Sequence, residues 1–130
     1  MRLEQKLCFA AIAFAVLLSS CDLSNPSLSE ARTVFEKPHE KEIKDGIKRI
    51  SKFTKVDGQS AEMFGVKLYA FKYEAEIEYP KGANPECKNP VGFQPSCISN
   101  KYREPGEKEK FSGEIKFEKT ENGWQPTRGL

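Results

Sequence analysis

The fold is decided by the sequence KLYAFKYEAEIEY, which occupies residues 67–79. From residue 69 onward its odd positions are aromatic or apolar, whereas its even positions from residue 72 onward are Lys or Glu. Because successive side chains of a strand point to opposite faces, this alternation predicts one long strand with an apolar face and a solvated face. At the start of the strand the second face is also apolar, because it carries Val66, Leu68 and Ala70. We therefore expect other parts of the chain to cover both faces of the sheet at that end.

A second strand is predicted at residues 108–119, where apolar residues or glycine alternate with charged residues or serine. We expect the two strands to pair antiparallel with Ala75 opposite Phe111. In this register Tyr73 lies over Gly113, where an aromatic ring can cover the bare backbone.

Charge selects this register. With Ala75 opposite Phe111, Lys72 lies opposite Glu114 and the two charges attract. Registers shifted by two or four residues place a glutamate of the first strand opposite Glu114, and these like charges repel. The acidic row of the first strand has two interpretations, a cation site or a set of ion pairs across the sheet. We favour ion pairs with Lys108 and Lys110, made by Glu74, Glu76 and Glu78.

One helix is predicted to begin at Pro38, because Ile43, Ile47 and Ile50 form a single apolar stripe at helical spacing. Proline suits a first helical turn. We expect His39 to be an exposed residue at the start of this helix.

Two further turns complete the predicted sheet. Asp57-Gly58 is typical of a hairpin turn, so residues 51–58 are expected to turn the chain round. Asn122-Gly123 is a second hairpin signal, after which Trp124 should lie at the edge of the core on a short last strand. The resulting fold class is α+β, with one N-terminal helix packed on a curved antiparallel sheet of about four strands, in a single domain at residues 38–128.

The N-terminus has the three parts of a secretory signal peptide. Arg2 and Lys6 precede an unbroken apolar run at residues 7–18, which is shorter than the ~20 residues of a good membrane span. The exit Leu18-Ser19-Ser20-Cys21 resembles the lipobox of bacterial lipoproteins. The resemblance implies removal of residues 1–20 and attachment of lipid, with acyl chains such as palmitate, at Cys21. The alternatives are an ordinary signal peptide, or an uncleaved anchor in which Cys21 is incidental.

Residues 21–37 are interpreted as a flexible tether, because Ser, Asn and Pro dominate their first half. Two capping-box patterns lie within it, Ser27 to Glu30 and Thr33 to Glu36, and either is a possible start for a short helical turn.

Two cysteines remain once Cys8 is assigned to the signal and Cys21 to lipid. In an exported protein, Cys87 and Cys97 are expected to form a disulfide. Two free thiols or a metal site are the weaker alternatives, since His39, the single histidine, is far away in sequence.

Residues 80–106 join the two long strands and hold five of the eight prolines together with both of these cysteines. A loop of this length in a compact domain is normally functional or disordered, and the disulfide favours order. Stiff loops lose less entropy on binding, so we interpret this loop as a candidate partner-binding site. A purely structural lid over the sheet is an equal alternative. The candidate contact residues are Val91, Phe93, Ile98, Lys101, Tyr102 and Arg103.

Composition and motifs narrow the function classes. Residues 1–20 hold two of the 21 basic and one of the 19 acidic side chains, so the mature chain is almost neutral and offers no basic excess for nucleic acid. The sequence has no nucleophile and base arrangement typical of hydrolases, no phosphate-binding glycine loop and no metal motif. We therefore predict no cofactor, no metal and no enzymatic activity.

The order of one helix followed by antiparallel strands resembles the cystatin-like and NTF2-like rolls of small exported bacterial proteins. The resemblance rests on residues 65–79 and 113–119 and implies fold only. The leading hypothesis is a lipid-anchored binding module of the bacterial cell membrane that faces the periplasm or the exterior and contacts an envelope protein or a small ligand. The alternative is a small inhibitor or protective, immunity-type lipoprotein acting on an envelope enzyme.

Overall fold

The computed structural model describes residues 25–127. Helix α1 spans Leu28–Glu36, a 3-10 turn spans Lys37–His39, and helix α2 spans Glu40–Lys44. The strands are β1 (Arg49–Met63), β2 (Val66–Tyr79), β3 (Glu107–Thr120) and β4 (Gly123–Pro126). Between β2 and β3 lie a 3-10 turn at Pro85–Cys87 and the single-turn helix α3 at Ser96–Ser99. Over this part of the chain the strands form one antiparallel sheet in the order β1-β2-β3-β4, which confirms the α+β class.

The pairing of β2 with β3 confirms the predicted register. Ala75 lies opposite Phe111, and Tyr73 lies opposite Gly113. A Cβ atom added to Gly113 would be only 2.8 Å from the Tyr73 hydroxyl oxygen, so the tyrosine ring lies directly on the glycine backbone.

The outer face of β2 and β3 is charged, and it carries one of the ion pairs predicted with Lys108 and Lys110. Lys108 Nζ lies 3.4 Å from Glu76 Oε1, although the residue directly opposite Glu76 is Lys110, two residues farther along β3. Glu78 pairs instead with Arg49 of β1. A hydrogen bond from Ser51, followed by Lys108 and the charge of Lys110, lowers the pKa of Glu76.

The core lies between α1 and the opposite face of the sheet. The Phe35 ring centroid is 5.3 Å from that of Tyr73, 5.5 Å from Phe53 and 5.9 Å from Phe111. Trp124 is buried on β4, which confirms its predicted place at the edge of the core. The buried apolar residues of the described chain are Ala31, Phe35, Phe53, Tyr69, Phe71, Ala75, Ile77, Tyr79, Phe117 and Trp124.

The helix predicted from Pro38 is wrong in position. Helix α2 ends at Lys44, Gly46 adopts a left-handed φ of +74°, and Ile50 belongs to β1. The predicted apolar stripe of Ile43, Ile47 and Ile50 is therefore not formed, and Ile47 is exposed to solvent.

The main helix, α1, lies inside the stretch predicted as a tether. The first of the two capping boxes starts it: Glu30 N–H donates to Ser27 Oγ at 3.1 Å, and Ser27 N–H donates to Glu30 Oε2 at 2.7 Å. Ala31 and Phe35, four residues apart, are its buried residues. Two apolar positions are too few to distinguish a helix from a linker in the sequence, although they are enough to fix it on the sheet.

Strand β1 corrects the prediction of a turn at Asp57-Gly58. Both residues lie within β1, and the hairpin turn to β2 falls at Phe64-Gly65, with φ values of 51° and 77°. Within this described strand only Phe53 is buried, so the sequence shows no alternation there. Gly58 is needed for a different reason, since a Cβ at this position would lie 1.8 Å from the Tyr69 hydroxyl oxygen.

The last hairpin agrees with the prediction. Thr120 pairs with Gly123, and the two residues between them, Glu121 and Asn122, form the turn between β3 and β4. Gly123 has a φ of +92°, which is readily adopted only by glycine.

Candidate functional site

The loop at residues 80–106 is closed at its base by backbone hydrogen bonds. Ala83 N–H donates to the Arg103 carbonyl at 3.0 Å, and Arg103 N–H donates to the Ala83 carbonyl at 2.9 Å. Gly82 makes this approach possible, because its φ is +71° and a Cβ there would lie 2.6 Å from the Arg103 carbonyl oxygen. The two ends of the loop are therefore held together where β2 ends and β3 begins.

A disulfide between Cys87 and Cys97 cross-links the middle of the loop, with the two Cα atoms 5.4 Å apart. This confirms the pairing predicted from the cysteine count. The 3-10 turn at Pro85–Cys87 and helix α3 fix the local backbone on the two sides of the bridge. Asn84 Nδ2 also donates to the Lys101 carbonyl at 2.9 Å, so the loop has its own network of cross-links.

Arg103 is used inside the loop base. Its Nη1 lies 3.0 Å from Glu107 Oε2 and its Nη2 lies 2.8 Å from Glu109 Oε2. The guanidinium also lies 5.1 Å from the centroid of the Tyr79 ring. The Arg103 side chain thus joins the loop to the last residue of β2 and to the first and third residues of β3.

Tyr79 completes this cluster. Its hydroxyl donates to Glu109 Oε2 at 3.1 Å. Burial, this hydrogen bond and the charge of Glu109 raise the pKa of Tyr79 to about 12, so the phenol stays protonated and remains a donor at neutral pH.

The structure divides the predicted contact residues into two groups. Val91, Phe93 and Ile98 are 90%, 82% and 73% exposed, and Lys101 is also exposed. Tyr102 is half-buried beneath Lys88, whose Nζ is 5.4 Å from the centre of its ring. Arg103 is held in its ion pairs, so the surface that faces solvent is formed by the apolar residues of the disulfide-closed segment and by Lys101.

The charge of this loop differs from that of the whole chain. Residues 80–106 contain four basic side chains and two acidic ones. Because Arg103 is already paired with Glu107 and Glu109, the exposed charged side chains of the loop are three lysines and two glutamates, namely Lys81, Lys88, Lys101, Glu86 and Glu104.

His39 is half-buried, which corrects its predicted exposure. Its ring centroid is 5.6 Å from that of Phe35, and Lys48 Nζ lies 3.2 Å from its Nδ1. Burial, and then the charge of Lys48, lower the pKa of His39, while Glu42 and Glu109 oppose the shift. Within residues 25–127 no group of three His, Cys, Asp or Glu side chains is placed to hold a metal ion.

A second exposed apolar group was not predicted from the sequence. It occupies the β1–β2 turn, where Met63, Phe64 and Val66 are 57%, 98% and 40% exposed. The expectation that Val66 is covered by other parts of the chain is therefore wrong, because its side chain is exposed to solvent. A phenylalanine beside a glycine between two strands is the signal that could have revealed this turn.

The predicted lipid attachment site, Cys21, lies outside the described residues. Among residues 25–127 there is no helix of sufficient length and apolar character to cross a membrane. No family model, curated protein or solved structure matches the chain.

Proposed function

We propose that this chain is a non-catalytic, lipid-anchored protein of the bacterial cell envelope, and that it binds a partner protein through the disulfide-closed loop. The anchor rests on the signal-like N-terminus and on the Leu18-Ser19-Ser20-Cys21 tetrad. Two or more acyl chains hold a protein on a bilayer durably, so no membrane-spanning helix is required.

The observation that carries the binding proposal is the exposure of Val91, Phe93 and Ile98 on a cross-linked backbone. Isolated apolar residues are common on protein surfaces, but three large ones within eight residues, two inside a covalently closed segment and one directly after it, favour an interaction site. The disulfide lowers the entropy that the loop can lose on binding, so more of the contact free energy is retained as affinity.

The apolar and charged side chains of the loop indicate what kind of surface a partner would need. An apolar pocket would accept Phe93, because aromatic side chains often provide most of the binding free energy of an interface. The exposed lysines of the loop outnumber its exposed glutamates by three to two, which favours acidic residues on the rim of that pocket, where they would raise the rate of association. The proposed partner is therefore an envelope protein with an apolar pocket and an acidic rim.

A narrower form of this proposal is an inhibitory or protective role, in which the partner is an enzyme. The rigidity of the loop favours it, since pre-organised loops bind with little change of backbone conformation. We also propose that the sheet belongs to the cystatin-like or NTF2-like class of rolls. Its support is the order of elements, with α1 ahead of an antiparallel sheet that it covers on one face.

Site-specific photocrosslinking tests the binding proposal in living cells. A benzoylphenylalanine residue is placed at position 93 of the full-length chain, and at position 56 in the matched control, because Val56 is also exposed but lies on β1. We expect a discrete protein adduct from position 93 and none of the same mass from position 56.

A second variant tests the chemistry of the contact. Replacing Val91→Ser and Ile98→Ser together should abolish the adduct from position 93 without changing the melting temperature, because both residues are exposed. Equal adducts from positions 93 and 56, or an adduct that survives the double substitution, would show that the loop is not the binding surface.

A further inference from the structure

The turn between β1 and β2 exposes large apolar side chains, whereas a hairpin turn in water is usually formed by small or polar residues. We define the hairpin tip as residues 63–66, the sequence Met63-Phe64-Gly65-Val66. Phe64 occupies a left-handed backbone conformation, with a φ of 51°, and its side chain is 98% exposed. Asn or Asp is the usual residue before Gly in such a two-residue turn, so a phenylalanine here needs another explanation.

The groove beside the tip has a mixed lining. Met63, Ala61, Leu68 and Ala70 line its apolar part, while Lys37, Lys116, Glu118 and several uncharged polar residues line the rest of its volume of about 1280 Å³. The charged residues nearest the tip on the two strands are Glu62 and Lys67, which lie opposite each other, so their charges offset. The hairpin tip itself therefore offers a partner apolar contact without an excess of charge.

The N-terminus of the described chain lies at the same end of the molecule as the tip. The first turn of α1 and strand β4 line one cleft, which contains Ser29, Glu30, Trp124 and Pro126. Pro126 is opposite Phe117, and Phe117 is opposite Tyr69, near the start of β2.

The other end of α1 points away from the tip. Phe35 packs on Phe53 and Phe111, both of which lie opposite Ala75, six residues farther along β2 than Tyr69. Helix α1 therefore begins near the start of β2 and proceeds along the sheet toward its far end.

The hairpin tip and the proposed lipid anchor are within reach of the same bilayer surface. From Tyr69 to Phe64 the hairpin extends by roughly 17 Å at strand rise. Three residues lie between Cys21 and Asn25, the first described residue, so the four steps from one Cα atom to the next span at most ~14 Å. A lipid attached to Cys21 thus holds this end of the sheet at the membrane.

We infer that the hairpin tip inserts Phe64, Met63 and Val66 into the interfacial region of the bilayer that holds the lipid anchor. This inference rests on the anchor in the proposed function. Tip and anchor together give the domain two points of attachment, which fixes its orientation. The loop at residues 80–106 is at the opposite end of β2, so this orientation presents it away from the membrane.

Fluorescence quenching by labelled lipid tests the insertion. The full-length lipidated protein is reconstituted in vesicles of phosphatidylethanolamine and phosphatidylglycerol whose acyl chains carry bromine. Phe64→Trp is compared with the matched control Phe93→Trp, and the emission of the native Trp124 is subtracted from both. Both replaced side chains are more than 80% exposed, so neither substitution disturbs the core.

We expect the added emission of the Phe64→Trp protein to shift to the blue and to be quenched, and that of the Phe93→Trp protein to be unchanged. If the protein floats with the vesicles and neither added tryptophan is quenched, the anchor stands and the inference is overturned. A blue shift at position 64 that appears only with an added envelope extract would assign the tip to a protein partner instead. If the protein does not float with the vesicles, the lipid anchor itself fails and the inference fails with it.

Discussion

Phe71 and Phe64 lie on one hairpin in opposite environments, since Phe71 is buried and Phe64 is almost fully exposed. Replacing Phe71→Ala should lower the free energy of unfolding by about 3–5 kcal/mol, because it removes a large buried side chain and leaves a cavity. Replacing Phe64→Ala should change it by no more than about 0.5 kcal/mol. Urea denaturation of the two variants measures both values, and equal losses would contradict this assignment of the core.

His39 gives the fold a dependence on pH. Its pKa is lowered from 6.5 in the folded protein, so the unfolded chain binds a proton more readily as the pH falls. We therefore expect the free energy of unfolding to decrease as the pH falls from 7 through 6.5 and below. In the His39→Gln variant this decrease should be smaller, as measured by urea denaturation at pH 7 and pH 5.5.

Glu76 supplies the control for this measurement. The pKa of Glu76 is lowered from its ordinary value of 4.5, so its contribution to the free energy of unfolding is lost only at a pH below the range in which His39 titrates. The Glu76→Gln variant should keep the wild-type decrease between pH 7 and pH 5.5. If His39→Gln also kept it, the burial of the imidazole beside Lys48 would not be the cause.

At the scale of the element, helix α1 depends on its capping box. Replacing Ser27→Ala removes the acceptor for the Glu30 N–H and should cost about 1 kcal/mol of stability. Ser29→Ala, in the first turn of the same helix, should be neutral or stabilising because alanine has the higher helix propensity. Thermal unfolding followed by circular dichroism compares the two, and an equal loss in both variants would argue against a specific cap.

The disulfide is the second element-scale determinant. Replacing both Cys87→Ser and Cys97→Ser should lower stability by up to about 3 kcal/mol, the chain-entropy value for a loop of this size. It should also weaken the photocrosslink from position 93, because the open loop must lose more entropy on binding. An undiminished crosslink would show that the cross-link is not needed for recognition.

The two long strands were predictable from the sequence because their partners impose strict alternation. Each odd position of β2 from Tyr69 onward faces α1 or the core, and the charged pairs on the other face left one favourable register. The disulfide was predictable from the cysteine count, because assigning Cys8 to the predicted signal peptide and Cys21 to the predicted lipid site leaves only Cys87 and Cys97.

Strand β1 and helix α1 escaped prediction because each buries too little to create a pattern. β1 is an edge strand with two register shifts, at Ile50/Lys52 and Lys55/Asp57, and such irregularities break the period of two. Helix α1 is fixed by only Ala31 and Phe35. The role of Arg103 was also hidden, because its ion pairs depend on how the loop returns to β3.

At the scale of the whole molecule, the exposed apolar residues divide between the two ends of β2. Phe64 and its neighbours lie at one end, with the N-terminus of α1, and the disulfide-closed loop lies at the other. A strand the length of β2 extends about 46 Å at most. In the proposed orientation the loop is therefore held tens of ångströms from the bilayer, where a partner protein can reach it.

Mass spectrometry of the mature N-terminus, on protein purified from bacterial membranes, tests the central claim most directly. The account predicts that the chain begins at Cys21 and that this residue carries a diacylglyceryl thioether, with Cys21→Ala abolishing the modification. A soluble product that still carries residues 1–20, or one with an unmodified Cys21, would contradict it.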